Sequence, residues 1–177
     1  NDRLDVVDWI ESIVKENPKC KIIIQGTSMG GATTMMTIGE KLPDNVVLAI
    51  EDCGFTSVKD IFTDQCIRKY HLPPKLVMTQ ASHINNHIKD FLFRKASEKK
   101  KKKKAKIPVL FIHGDKDDFV LLENLDPVYN ACPTPKRKHI VRGAEHALSS
   151  HWFHEEYWQV VDEFLEEHLT PVISAQN

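Results

Sequence analysis

The sequence predicts an α/β domain whose parallel sheet is flanked by helices. Short, almost wholly apolar runs alternate with longer amphipathic stretches, and the polar residues of chemical interest fall just after those runs. A strand apolar on both faces belongs in a sheet covered on both sides, and such a sheet keeps its functional groups at the carboxyl ends of its strands.

Residues 2–17 place Leu4, Val7, Ile10 and Val14 at helical spacing, widened by Val6 and Ile13, and Pro18 blocks continuation. Residues 21–25 are a β-branched run expected as a strand buried on both faces. A tight turn over 26–31 leads to a helix over 32–42 that Pro43 ends. A second buried strand covers 46–50 and is closed by Glu51-Asp52-Cys53-Gly54. The middle section reads as helical pieces at 58–70 and 75–89, broken by Pro73-Pro74, and ends in six lysines, 99–104. A third strand with its proline at the start spans 108–112, a helix 121–131, a fourth strand 138–141, and an amphipathic closing helix 153–168.

At 177 residues the chain is long enough for one domain with a sizeable core, and 41 % hydrophobic with 28 % charged residues is a soluble, globular composition. Its 24 basic and 25 acidic side chains leave a net charge of −1, so no overall pull toward nucleic acid or an anionic membrane is expected. The lysine run lacks interleaved aromatics and reads as a solvated loop. Cys20, Cys53, Cys66 and Cys132 form no CxxC pair, so a zinc site is not expected; reduced thiols in a cytoplasmic protein are. His83 and His87 are four apart, as metal ligands can be, but no third ligand accompanies them and a solvated helix face is expected. No apolar stretch approaches the roughly 18 residues that span a bilayer. The chain starts at Asn1 in the first turn of a helix, so a segment upstream is expected.

Gly26-Thr27-Ser28-Met29-Gly30 fits G-x-S-x-G between a strand and a helix, which perches a serine hydroxyl on a strained turn above the sheet edge. Glycines on either side of the serine are expected to avoid backbone collisions, and the Met29 N–H at the helix start is an expected oxyanion donor. A plain strand–helix connection is the bland alternative; a phosphate loop is rejected because no G-K-[ST] ending follows. After the third strand, Asp115, Asp117 and Asp118 compete to be the acid that orients a histidine, and Asp115 or Asp118 is expected to cap the next helix. After the fourth strand, Gly143-Ala144-Glu145-His146-Ala147 offers a general base in a small-residue loop. Of the other histidines, His113 precedes a glycine at a strand end and is expected to pack and hydrogen-bond. His71 lies in the middle section, and His151, His154 and His168 in the final helical region.

These segments resemble the α/β-hydrolase superfamily, particularly bacterial serine hydrolases with a G-x-S-M-G-[GA]-[AT] elbow. Asp52-Cys53-Gly54-Phe55-Thr56-Ser57, the run from Ile107 to Gly114, and Gly143-Ala144-Glu145-His146 extend the likeness over nearly the whole chain. The resemblance implies a nucleophile Ser28, an acid and a base His146 in that chain order, and its H-G-x-x-D-x-x-V spacing selects Asp117, with Asp118 next. It implies a serine esterase-like hydrolase acting on a small-molecule acyl substrate through an acyl-enzyme, with no metal or organic cofactor. A peptidase or thioesterase with the same residues is the first alternative, and a catalytically silent chain with a binding or assembly role the second. The chain reads as a single, partial domain over 1–177 with a cap-like insertion at about 56–105, whose Leu72, Leu76, Val77, Met78 and Phe91 suit a pocket or a core equally. The superfamily's sheet normally has about eight strands, and the four found here correspond to the last ones. A fragment is therefore expected, lacking the loop that gives the second oxyanion N–H and leaving the 21–25 strand as an open edge. Oligomeric state is not legible.

Overall fold

The computed structural model describes residues 2–73 and 107–174. Strands β1 (Ile22–Thr27), β2 (Val46–Asp52), β3 (Val109–Gly114) and β4 (Lys136–Val141) form one parallel sheet in that spatial order. Helices α1 (Asp2–Glu16), α2 (Met29–Thr37), α3 (Val58–Arg68), α4 (Leu125–Ala131), α5 (Ser149–Trp152) and α6 (His154–Ser174) connect and cover it. This is the expected α/β-hydrolase architecture.

Two apolar layers sandwich the sheet. On one face Ile10 of α1, Met35 of α2 and Leu125 and Val128 of α4 pack on Ile24, Ala49, Val109 and Phe111. On the other, Tyr157, Val161 and Phe164 of α6 pack on Leu48, Ile50, Leu110, Ile112 and Val141. The strict alternation of Val109 and Phe111 with Leu110 and Ile112 is why β3 reads as one unbroken apolar run: each successive residue enters a different layer.

Three expectations change in detail. The first strand is not buried on both faces: it pairs only with β2 among the described residues, Ile24 alone is buried, and Ile23 stays 39 % exposed. The helix expected over 32–42 starts earlier, at Met29, and ends at Thr37, where the Gly39 and Glu40 amides turn back onto the carbonyls of Met36 and Thr37. The closing helix is preceded by a separate turn of helix, α5, and continues to Ser174. All four cysteines are free. No helix among the described residues is long and apolar enough to cross a membrane. Most of the cap-like insertion, with His83, His87, the lysine run and Leu76, Val77, Met78 and Phe91, lies outside the described residues.

Phe111 is fully buried against the Tyr129 ring, with centroids 5.3 Å apart. Phe111→Ala is expected to cost about 3–5 kcal/mol by denaturant unfolding. Ile23→Thr, on the outer strand, is expected to stay within about 0.5 kcal/mol by the same measurement.

Candidate functional site

All four strands end on one side of the sheet, and the site is built where they stop. Ser28 follows β1 directly and has φ 56° and ψ −114°, a left-handed backbone that a non-glycine residue adopts only under constraint. Two main-chain bonds impose it: the Ser28 N–H donates to Asp52 O at 2.8 Å, and Ala32 N–H donates back to Ser28 O at 3.1 Å. Gly26 is needed because a Cβ there would stand 2.1 Å from Gly30 O. Gly30, expected to avoid a collision too, faces open space. The crowded glycine is Gly31, whose Cβ would meet Asp52 O and Glu51 Oε1 at 3.0 Å. Met29 begins α2, so its amide is among those the helix leaves without an internal partner.

Three expected residues come together. Ser28 Oγ lies 2.9 Å from His146 Nε2, and His146 Nδ1 lies 2.7 Å from Asp117 Oδ2. Asp117 is ionised and accepts the Nδ1 proton, which leaves Nε2 free to accept from the serine hydroxyl. The second oxygen, Asp117 Oδ1, accepts the amides of Phe119 at 2.9 Å and Val120 at 2.8 Å. Burial alone would raise the Asp117 pKa, but hydrogen bonds from His113, His146 and the Val120 amide outweigh it and hold the carboxyl at about 2. The Phe119 ring packs on the His146 ring, with centroids 4.9 Å apart at 47°.

The other aspartates do different work. Asp115 does not cap a helix; its Oδ1 accepts the Gly143 amide and ties the β3 exit to the β4 exit. Asp118 contributes its main-chain oxygen, which accepts from Gln65 and Arg68 of α3. His113 is buried as expected, with Nε2 2.8 Å from Val120 O. It also stands 3.4 Å from Asp117 Oδ2, a contact the sequence reading missed although the two residues are only four apart.

Beneath the site lie further buried polar groups that sequence reasoning passed over. Glu51 and Asp52 extend an otherwise apolar strand, and both are 1 % exposed. Burial pushes the Glu51 carboxyl up to about 7, moderated by the facing His113, and the Asp52 carboxyl up to about 6, moderated by the Tyr157 hydroxyl. Gln25 Nε2 donates to that hydroxyl at 3.0 Å. Burial also raises the Cys53 thiol pKa, so Cys53 is a packed, protonated group and not a nucleophile. Its sulfur and the donor atoms of Asp117 and His146 fall within 4.8 Å of one another. The aspartate and histidine of that group already bind each other, so the set reads as packing within one site.

Gly26→Ala is expected to abolish any reactivity of Ser28, read by covalent labelling, because nothing in the turn can yield by an ångström. Glu51 gives a pH prediction. Between its ordinary value near 4.5 and about 7, the folded chain holds a proton that the unfolded chain has lost, so stability falls as pH rises through that window. Glu51→Gln lacks this titration. It is expected to exceed the natural chain in stability by about 1–3 kcal/mol near pH 8, the gap closing toward pH 4.5 in denaturant titrations.

Comparison with known proteins agrees with this fold. The uncharacterized protein YqkD of Bacillus subtilis is 28 % identical over 152 residues, covering 86 % of this chain and 50 % of YqkD. An esterase of Pyrococcus furiosus superposes with a TM-score of 0.67 at 19 % identity, over 94 % of this chain and 61 % of the esterase. An acylaminoacyl peptidase of Pyrococcus horikoshii gives a TM-score of 0.67 at 20 % identity, over 94 % of this chain and 28 % of the peptidase. This chain therefore spans about half the length of the curated relatives it matches. Residues 1–171 match the prolyl oligopeptidase family, and the chain belongs to that family of α/β-hydrolases.

Proposed function

We propose that this chain carries the acyl-transfer residues of a serine hydrolase that cleaves a carboxylic ester or a related acyl bond. The observation that carries the reading is the continuous Ser28–His146–Asp117 hydrogen-bonded line of 2.9 and 2.7 Å, on a turn held at a strained φ. Ser28 Oγ attacks the acyl carbon while its proton passes to His146 Nε2. The oxyanion that forms is met by the Met29 N–H; in related folds a second N–H comes from a loop after an earlier strand of the same domain. Collapse breaks the bond to the leaving group, which takes the proton from His146. Water then attacks the acyl carbon as it gives a proton to His146, and collapse breaks the acyl–Oγ bond, releasing the acid while His146 returns that proton to Ser28 Oγ. Asp117 holds the imidazole in the required tautomer throughout.

The apolar Met29 and Phe119 side chains, 60 % and 39 % exposed beside Ser28 and His146, favour an acyl group or leaving group with apolar character. Membership of the prolyl oligopeptidase family gives peptide-like acyl bonds second place.

The test is intact-mass analysis after treatment with a fluorophosphonate. A single adduct on Ser28 is expected, with Ser28→Ala and His146→Ala each reducing labelling by at least about a thousandfold. No adduct on the folded chain would favour the silent, assembly-type alternative for this chain alone. The labelling rate is expected to show no step from Asp117 above pH 3, because its carboxyl is held at about 2. Turnover of ester, thioester and aminoacyl substrates then ranks the acyl classes.

A further inference from the structure

His113 occupies a position that packing alone does not explain. Its ring is fully buried, yet it faces three polar groups: the Val120 carbonyl, the Asp117 carboxylate and, from β2, the Glu51 carboxylate. The contact with Val120 O fixes its protonation pattern, because a carbonyl only accepts; Nε2 must carry a hydrogen. That hydrogen is donated to Val120 O at 2.8 Å, and the same nitrogen stands 3.4 Å from Asp117 Oδ2. Asp117 Oδ2 is the oxygen that holds His146. One carboxylate oxygen is thus shared by two imidazoles, while the other is fixed by two main-chain amides.

We propose that His113 is a positioning residue for Asp117, whose buried Nε2–H closes the 113–120 loop and sets the plane and charge of the carboxylate that orients His146. This deepens the serine-hydrolase reading and rests on it. The two amides hold Oδ1, and the imidazole N–H beside Oδ2 adds a restraint on the oxygen that faces His146, much as partners behind a metal ligand orient it. Glu51 stands behind the imidazole on the adjacent strand. The His113 ring and the Glu51 carboxyl act on each other through charge across the gap between the two strands.

The charged and titratable neighbours set the sign. His113 faces Asp117 from its own loop and Glu51 and Asp52 from β2; His146 faces Asp117, Asp52 and the Cys53 thiol. Asp117 and Glu51 favour the protonated His113 ring, and its pKa is raised although burial opposes this. A donor or cation on Oδ2 draws charge from the His146 side. Its removal leaves a stronger anion there, which makes His146 harder to deprotonate.

The test follows both rings by NMR in chains labelled at histidine, alongside fluorophosphonate labelling rates. In Asp117→Asn the His113 titration is expected to move to lower pH. In His113→Leu the His146 titration is expected to move to higher pH, with labelling slowed about 10- to 100-fold, the usual scale for losing an orienting partner. His113→Gln, whose amide can donate across the same gap, is expected to recover most of that rate. An unshifted His113 titration in Asp117→Asn overturns the proposal, and so does a folded His113→Leu with an unchanged His146 titration. Should His113→Leu fail to fold, the Asp117→Asn titration decides alone. Because the titrations do not depend on reactivity, a natural chain that takes no adduct on Ser28 counts against the hydrolase reading, separately from this coupling.

Discussion

Parallel pairing makes every strand of this sheet stop on the same side, and the rest of the site follows from that constraint. The register carries Thr27 beside Asp52, Asp52 beside Ile112 and Gly114 beside Val141, so four chain segments leave the sheet within one small region. The main-chain bonding continues past the strand ends, from Ser28 to Asp52, from Cys53 to Ile112 and from Asp115 to Val141. Segments that leave the sheet already hydrogen-bonded to their neighbours have little room to differ. Residues 118 positions apart in sequence, Ser28 and His146, meet because their strands are clamped in register.

The interior beneath those strand ends is more polar than the two apolar layers suggest. Glu51, Asp52, His113 and Asp117 are all nearly inaccessible, and a low dielectric strengthens whatever acts between them. The protein treats them differently. Asp117 receives donors on both oxygens and is held anionic; Glu51 receives little and is held close to neutral. Two carboxylates within one core thus reach opposite protonation behaviour through the number of N–H groups aimed at each.

Much of this could be read in the residues. The strands announced themselves because β2 and β3 put an apolar side chain into each layer in turn, and Ser28 and His146 were legible because each follows a strand, whereas three aspartates follow β3 and only the resemblance's H-G-x-x-D-x-x-V spacing singled out Asp117. The outer strand was read two ways: its apolar Ile22-Ile23-Ile24 run suited burial on both faces, which is not what is found, whereas the count of four strands marked it as an open edge, which is where it lies among the described residues. The role of Gly30 was overstated because sequence shows which glycine neighbours the serine but not which one faces backbone; that is Gly31. The Glu51 and His113 contact was hidden for a related reason: the residues sit 62 positions apart and meet only through strand pairing.

Among the described residues positive φ occurs at four non-glycine positions, and three of them, Ser28, Cys53 and Ala147, surround the same small volume. Each such conformation costs of the order of 1–3 kcal/mol, whereas a whole domain is stable by only about 5–15 kcal/mol. The sharp bends that aim these side chains therefore draw on a reserve built by distant packing, such as that of Tyr157 and Phe164 on the sheet. Weakening that packing would be felt first where the backbone is most tightly sprung. In this molecule the stability of the sheet and the shape of the turn at Ser28 are coupled, and a change far from Ser28 can loosen the site without touching it.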